Sequence, residues 1–97
     1  MQNLLTERRG LARHEVRVPI EIQQIGRGIT HDISVNGIAF ELDRLIEPGT
    51  PIEFHFALNL GVVQLHCVGH VVRVEQRGEK AFTAATIEEI DFVPREH

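Results

Sequence analysis

Val16, Val18, Ile20 and Ile22 alternate with Arg17, Pro19, Glu21 and Gln23, a period of two that buries one face of a strand and wets the other. A first strand is therefore predicted over residues 16–23. Pro19 lacks a backbone donor, which places that strand on a sheet edge or at a bulge. Gly26 and Gly28 mark a turn, and a short strand follows over residues 28–33. Val35-Asn36-Gly37 supplies residues that tolerate positive φ before residues 38–42 extend again, the pattern of a hairpin. Glu47-Pro48-Gly49-Thr50 reads as a turn into a strand at Pro51–Leu58. Asn59-Leu60-Gly61 reverses the chain ahead of a long β-rich stretch over residues 62–75, in which Gly69 allows a bend or bulge. After a turn over residues 77–80, residues 81–87 are predicted to close the sheet, although their alanines also permit helix. Strands at this spacing, with no amphipathic helix between them, favour an all-β antiparallel barrel or sandwich.

At 97 residues the chain falls short of the length at which a single core divides, so one domain is expected. Hydrophobic residues at 42% and charged residues at 25% remove the disordered and collagen-like classes. Cys67 is the lone cysteine and closes no intramolecular disulfide, which fits a reducing compartment and predicts a cytoplasmic protein. No apolar run approaches the roughly 20 residues of a membrane helix, so no membrane insertion is expected, and Met1 to Arg9 lacks the apolar core of a signal peptide. Trp and Tyr are absent, leaving five phenylalanines as the only stacking platforms, and neither DNA nor RNA is an expected partner. Charge is uneven: residues 1–31 sum to +2 and residues 32–97 to −6 with histidines neutral. Such a chain repels long polyanions, whereas a local arginine cluster can still hold a small anion between its side chains.

That cluster lies ahead of the first strand, in Glu7-Arg8-Arg9-Gly10-Leu11-Ala12-Arg13. Arg9 and Arg13 form an RxxxR spacing with Arg8 beside it. A guanidinium presents a planar fork of donors that matches phosphate oxygens or the O6/N7 edge of guanine, and it stacks on flat rings. Gly10 and Ala12 leave the backbone free to bring the two forks onto one ligand. Further on, Asp32-Ile33-Ser34-Val35-Asn36-Gly37 makes a D-x-S-x-x-G hexapeptide at a strand end and turn. An ionised aspartate can accept from the N1 and N2 donors of guanine, and a serine hydroxyl with free turn N–H groups suits phosphate. Taken alone, the hexapeptide reads better as an Asx-type turn in which Asp32 and Ser34 merely bond nearby backbone.

In this order, with a strand between them, the two motifs resemble the PilZ domain family, whose members carry RxxxR before the first strand and D/N-x-S-x-x-G at a later turn. The resemblance runs from about Glu7 to Phe92. It implies an antiparallel Greek-key split β-barrel, with residues 1–13 as a ligand-binding arm, 14–92 as the barrel and 93–97 as a tail. It also implies binding of the bacterial second messenger cyclic di-GMP, with Arg9 and Arg13 on phosphate and guanine and with Asp32, Ser34 and Gly37 as the opposite wall. Arg8 stands where an arginine in similar proteins accompanies a stacked pair of cyclic di-GMP molecules. The arm is expected to order on the nucleotide and to pass the signal to an unidentified downstream protein, since the sequence carries no output domain. A homodimer is compatible with this reading. Many family members continue into a C-terminal helix, whereas this chain ends shortly after its last predicted strand.

Rival classes have less to stand on. His66, Cys67 and His70 lie close together and His55 could neighbour them across a sheet, but Cys67 points to the opposite face and no paired metal-ligand spacing is present, so no metal or cofactor is expected. Ser34 is flanked by His31 and Asp32, yet neighbours along one strand do not build a triad, and no enzyme is expected. The alternative is a PilZ-fold module that binds only proteins. Retention of Arg8, Arg9, Arg13, Asp32, Ser34 and Gly37 argues for the nucleotide.

Overall fold

A computed structural model describes residues 13–58 and 61–94. Among them there are eight strands and no helix: β1 (His14–Glu15), β2 (Pro19–Ile22), β3 (Gly26–Ser34), β4 (Gly37–Leu42), β5 (Pro51–Leu58), β6 (Val63–Arg77), β7 (Lys80–Thr86) and β8 (Glu89–Pro94). Six of them close a barrel in the order β3-β2-β5-β6-β7-β4 and back to β3, every pairing antiparallel. β1 adds to the far end of β3, and β8 adds to the first half of β6. Closure removes the open edges that a flat sheet of this length would expose.

The barrel is filled by the inward member of each period-two pair. Ile20 and Ile22 of β2, Ile38, Phe40 and Leu42 of β4, Ile52, Phe54 and Phe56 of β5, and Leu65, Cys67 and Val71 of β6 are all buried. Phe54 is the hinge of the aromatic packing, with ring centroids 6.5 Å from Phe40 and 6.4 Å from Phe56. Two threonines enter this core with their hydroxyls satisfied. Thr30 accepts from the Val18 amide at 2.9 Å and donates to the Val16 carbonyl, tying the segment between β1 and β2 onto β3. Thr83 donates to the Ala81 carbonyl at 3.4 Å. Burial at Cys67 pushes its thiol up to about 11, the Asp91 charge adding to the effect, so it behaves as a small apolar core group.

Several local expectations change. Pro19 opens β2, which is paired on both sides, so the missing donor is tolerated by its place at the strand start and not by a sheet edge. Gly26 and Gly28 lie inside β3, and the reversal falls at residues 23–25, where Gln24 takes the positive φ of 66°. In the hairpin between β3 and β4, neither Val35, Asn36 nor Gly37 adopts positive φ. Of the segment predicted over residues 81–87, residues 81–86 are strand, within β7, and after a break at Ile87 and Glu88 the chain enters β8, which sequence reading left unassigned because Glu88, Glu89 and Asp91 dilute its apolar pattern. The break is anchored by Ile87 N donating to the Asn36 carbonyl at 3.0 Å and Glu88 N to the Val68 carbonyl at 2.8 Å.

Gly69 sits where β6 leaves β5 and β8 for β7. A methyl added there would collide with the backbone carbonyl of Thr86, so close approach, and not bending freedom, demands the glycine. Gly69→Ala is expected to lower stability by about 1–3 kcal/mol in urea unfolding. Gly37→Ala, whose methyl would meet the Ala85 oxygen at an ordinary 3.5 Å, is expected to stay within about 0.5 kcal/mol of the parent.

Candidate functional site

Two bulges build the site. Thr30 pairs with Phe40, but the next partner of Ala39 is Asp32, so His31 is an extra residue in β3. Residues two apart on a regular strand share a face, and Thr30 faces the core, so without the bulge Asp32 would point inward. The same happens in β6: Val71 pairs with Ala85 and is buried, and Ala84 then pairs with Arg73, leaving Val72 as the extra residue and turning Arg73 outward. Because Ala39 pairs with Ala84, the register makes one row across four strands, Asp32–Ala39–Ala84–Arg73. A carboxylate and a guanidinium thus flank a floor of two alanines on the outer wall of the barrel. The floor lies in an open dish of about 320 Å³, with Arg77 and Phe82 on its rim.

The first strand end delivers Arg13 to this row. β1 pairs His14 with Ile33 and Glu15 with Asp32, and Arg13 Nη2 donates to Asp32 Oδ1 at 2.7 Å. Both side chains remain partly exposed, at 55% and 31%, so water screens the pair and it is worth on the order of 0–1 kcal/mol. Such a contact is readily exchanged for a ligand. Ser34 lies two residues past Asp32, buried, with its hydroxyl 3.4 Å from both Asn36 Oδ1 and the Gly37 carbonyl. Gly37 pairs with Ser34 and with Thr86. Arg13, Asp32, Ser34 and Gly37 therefore gather at one end of the β3–β4 hairpin, while Arg8 and Arg9 lie outside the described residues.

A line of flat groups borders the other side of the dish. Arg17 Nη1 lies 3.2 Å from His31 Nδ1, and since a guanidinium only donates, Nδ1 is the acceptor. Nε2 then carries the hydrogen and donates to Glu41 Oε1 at 2.8 Å. The His31 ring packs on Phe82 with centroids 5.0 Å apart, and the Arg77 guanidinium lies 4.4 Å from the Phe82 ring centroid. Arg77 is fixed further by donating to Glu75 at 3.1 Å, which lowers the Glu75 carboxyl and raises Arg77. Sequence reading singled out neither Arg73 nor this His31–Phe82–Arg77 line. The signal is a change of parity in the buried positions, from Val71 to Val74 in β6 and from Thr30 to Ile33 in β3.

With this geometry in view, the sequence matches the PilZ domain over residues 7–94. The chain belongs to the PilZ domain family. PilZ domains are receptor and adaptor modules, and the family is one of cyclic di-GMP receptors. Among solved structures, this PilZ fold is similar to the Bacillus subtilis inhibitor of motility MotI/DgrA, with a TM-score of 0.74 and 21% identity, over 84% of this chain and 43% of that one. The chain thus spans less than half the length of that protein, and the likeness is one of fold. Comparison with curated proteins gives no match. No helix among the described residues is long and apolar enough to cross a membrane.

The hydrogen bond from His31 holds the Glu41 carboxyl below its ordinary 4.5, opposed by burial and helped by the charges of Lys80 and Arg17. A carboxylate lowered in the folded state contributes stability that is present above its unfolded value and is lost as pH falls through the folded one. Glu41→Gln is therefore expected to flatten the loss of stability below about pH 4.5, read as urea midpoints taken from neutral pH down to about pH 3.

Proposed function

We propose that this PilZ domain is a cyclic di-GMP receptor that binds the nucleotide on the outer wall of its barrel and presents the bound form to a separate protein. The observation that carries the reading is the pair of bulges, which turn Asp32 and Arg73 outward onto opposite ends of one alanine floor beside Arg13. Cyclic di-GMP has two phosphates and two guanines, so its site needs several cationic forks, at least one acidic acceptor and a flat place for a ring. Asp32 accepts from a guanine edge in this reading. Arg13 exchanges its weak ion pair for phosphate, and Arg73 supplies a second fork across the floor. Ser34 and Gly37 close the hairpin end, with the hydroxyl available to a phosphate oxygen.

The dish is open and of modest size, so it holds part of such a ligand and leaves the rest to the arm. In this reading residues 1–13 form that arm within a single domain, Arg9 joins Arg13 on the ligand, and Arg8 supports a second, stacked nucleotide. Neutralising the arginines against phosphate creates the composite surface that a downstream protein reads. The protein acts in the cytoplasm, without a cofactor and without catalysis, and a homodimer is one form in which the composite surface could be displayed.

Calorimetric titration of the full chain with cyclic di-GMP, with GTP as the control, tests the proposal. Saturable binding at micromolar concentrations or below is expected, with one or two nucleotides per chain according to the role of Arg8. Arg13→Ala and Asp32→Ala should each weaken binding by about 1.5–3 kcal/mol, the scale of lost charge-assisted hydrogen bonds. Arg73→Ala should cost about tenfold in affinity, or roughly 1.4 kcal/mol. No heat from a folded protein at several temperatures would leave the protein-binding module as the better account.

A further inference from the structure

A second register row crosses the opposite side of the barrel. Glu21 of β2 pairs with His55 of β5, His55 with His66 of β6, and His66 with Asp91 of β8. Cross-strand partners share a face and stand about 5 Å apart, so the row alternates carboxylate, imidazole, imidazole, carboxylate. Glu53 lies two residues before His55 on β5 and joins the row diagonally. The face is the outer one, with His55 and His66 side chains 33% and 40% exposed.

Two further observations separate this pair from the other histidines paired with carboxylates. His31 and His70 are held in short hydrogen bonds to theirs, at 2.8 and 2.5 Å. His55 Nε2 and His66 Nε2 approach Glu21 and Glu53 only to 3.4 Å, beyond the range of a good hydrogen bond, so neither ring nitrogen is committed. The two rings also meet each other, with centroids 6.3 Å apart and planes at 82°. Surrounding charge favours a cation: Glu21, Glu53 and Asp91 lie in or beside the row, Glu89 pairs with Val68 next to it, and Arg27, the partner of Glu21, is the cation at its end.

We propose that His55 and His66 form a two-imidazole chelate for a borderline divalent metal ion such as zinc, a function independent of the nucleotide site on the other wall. Imidazole is a preferred ligand of such ions, and the carboxylates around the pair give this face the negative charge that attracts them. No three His, Cys, Asp or Glu side chains among the described residues are arranged as a ready-made metal group. The protein therefore supplies two nitrogens, after a small rotation of the rings toward each other, and water completes the coordination. Cys67, although next to His66, faces the core with its thiol protonated and takes no part.

The test is calorimetric titration of the full chain with zinc chloride alone, repeated on His55→Gln, His66→Gln and His70→Gln after circular dichroism has shown each to be folded. All three side chains lie partly exposed on the outer face and none belongs to the buried core. One zinc per chain is expected, with affinity reduced tenfold or more in both His55→Gln and His66→Gln and unchanged in His70→Gln. Absence of zinc binding by the folded parent would overturn the proposal. So would parental affinity in either His55→Gln or His66→Gln, or a loss confined to His70→Gln.

Discussion

Every outward-facing group at the candidate nucleotide site depends on parity. A β-strand shows its side chains to alternate faces, and a closed barrel admits no free slip of register, so a strand that starts with its odd residues inward must end that way. The insertion of His31 in β3 and of Val72 in β6 breaks that rule at two points. Each bulge lets one strand serve the core on both sides of the interruption, from Thr30 to Ile33 and from Val71 to Val74, while exposing a charged residue between. The bulges fall at the two ends of one row, which is why Asp32 and Arg73 face the same dish although they come from strands that do not touch.

The barrel must be stiff for this to matter. Its stiffness comes from Phe40, Phe54 and Phe56 at the centre and from closure of β3 on β4, with Thr30 binding the entry of the chain to β3. The segment before β2 is also held by the short ladder at His14 and Glu15, by the Val16 amide on the His31 carbonyl, by the Thr30 amide on the Val18 carbonyl and by Arg17 on His31, whereas Arg13 at its start is held by the Asp32 ion pair. A strong core with a weakly held Arg13 side chain suits a receptor, because a ligand that draws on Arg13 has a screened surface pair to displace. On the proposed reading, the affinity for the nucleotide reflects new contacts more than the cost of breaking old ones.

How much of this was legible in the sequence divides along the same line. Alternation at Val16–Ile22, the punctuation at Glu47–Thr50 and the Arg77–Lys80 turn led to an all-β antiparallel barrel or sandwich, the family resemblance chose the barrel, and the D-x-S-x-x-G spacing led to the hairpin end that carries Asp32, Ser34 and Gly37. Register was not legible, because period two is satisfied by either face and pairing depends on residues far apart in the chain. Arg73 therefore stayed hidden, as did the adjacency of Asp32 to Ala39. β8 escaped for a different reason: Ile90 and Phe92 follow the inward face of β6, pairing with Cys67 and Leu65, yet remain partly exposed at the barrel margin among acidic neighbours.

Charge shows the same division between what is written along a chain and what folding assembles. The linear profile places the positive excess before residue 32 and the negative excess after it. Folding redistributes it by wall: Arg13 and Arg17 from the first part reach Asp32 and His31, which line the same dish as Arg73 and Arg77 from the second. Glu21 from the first part joins Glu53, Glu89 and Asp91 on the other side. A net charge of −4 is therefore a poor guide to what either wall attracts. At physiological ionic strength, fields between exposed charges fade over roughly 8 Å. Each wall thus acts on its surroundings by its own side chains, rich in arginine on one side and in carboxylates on the other.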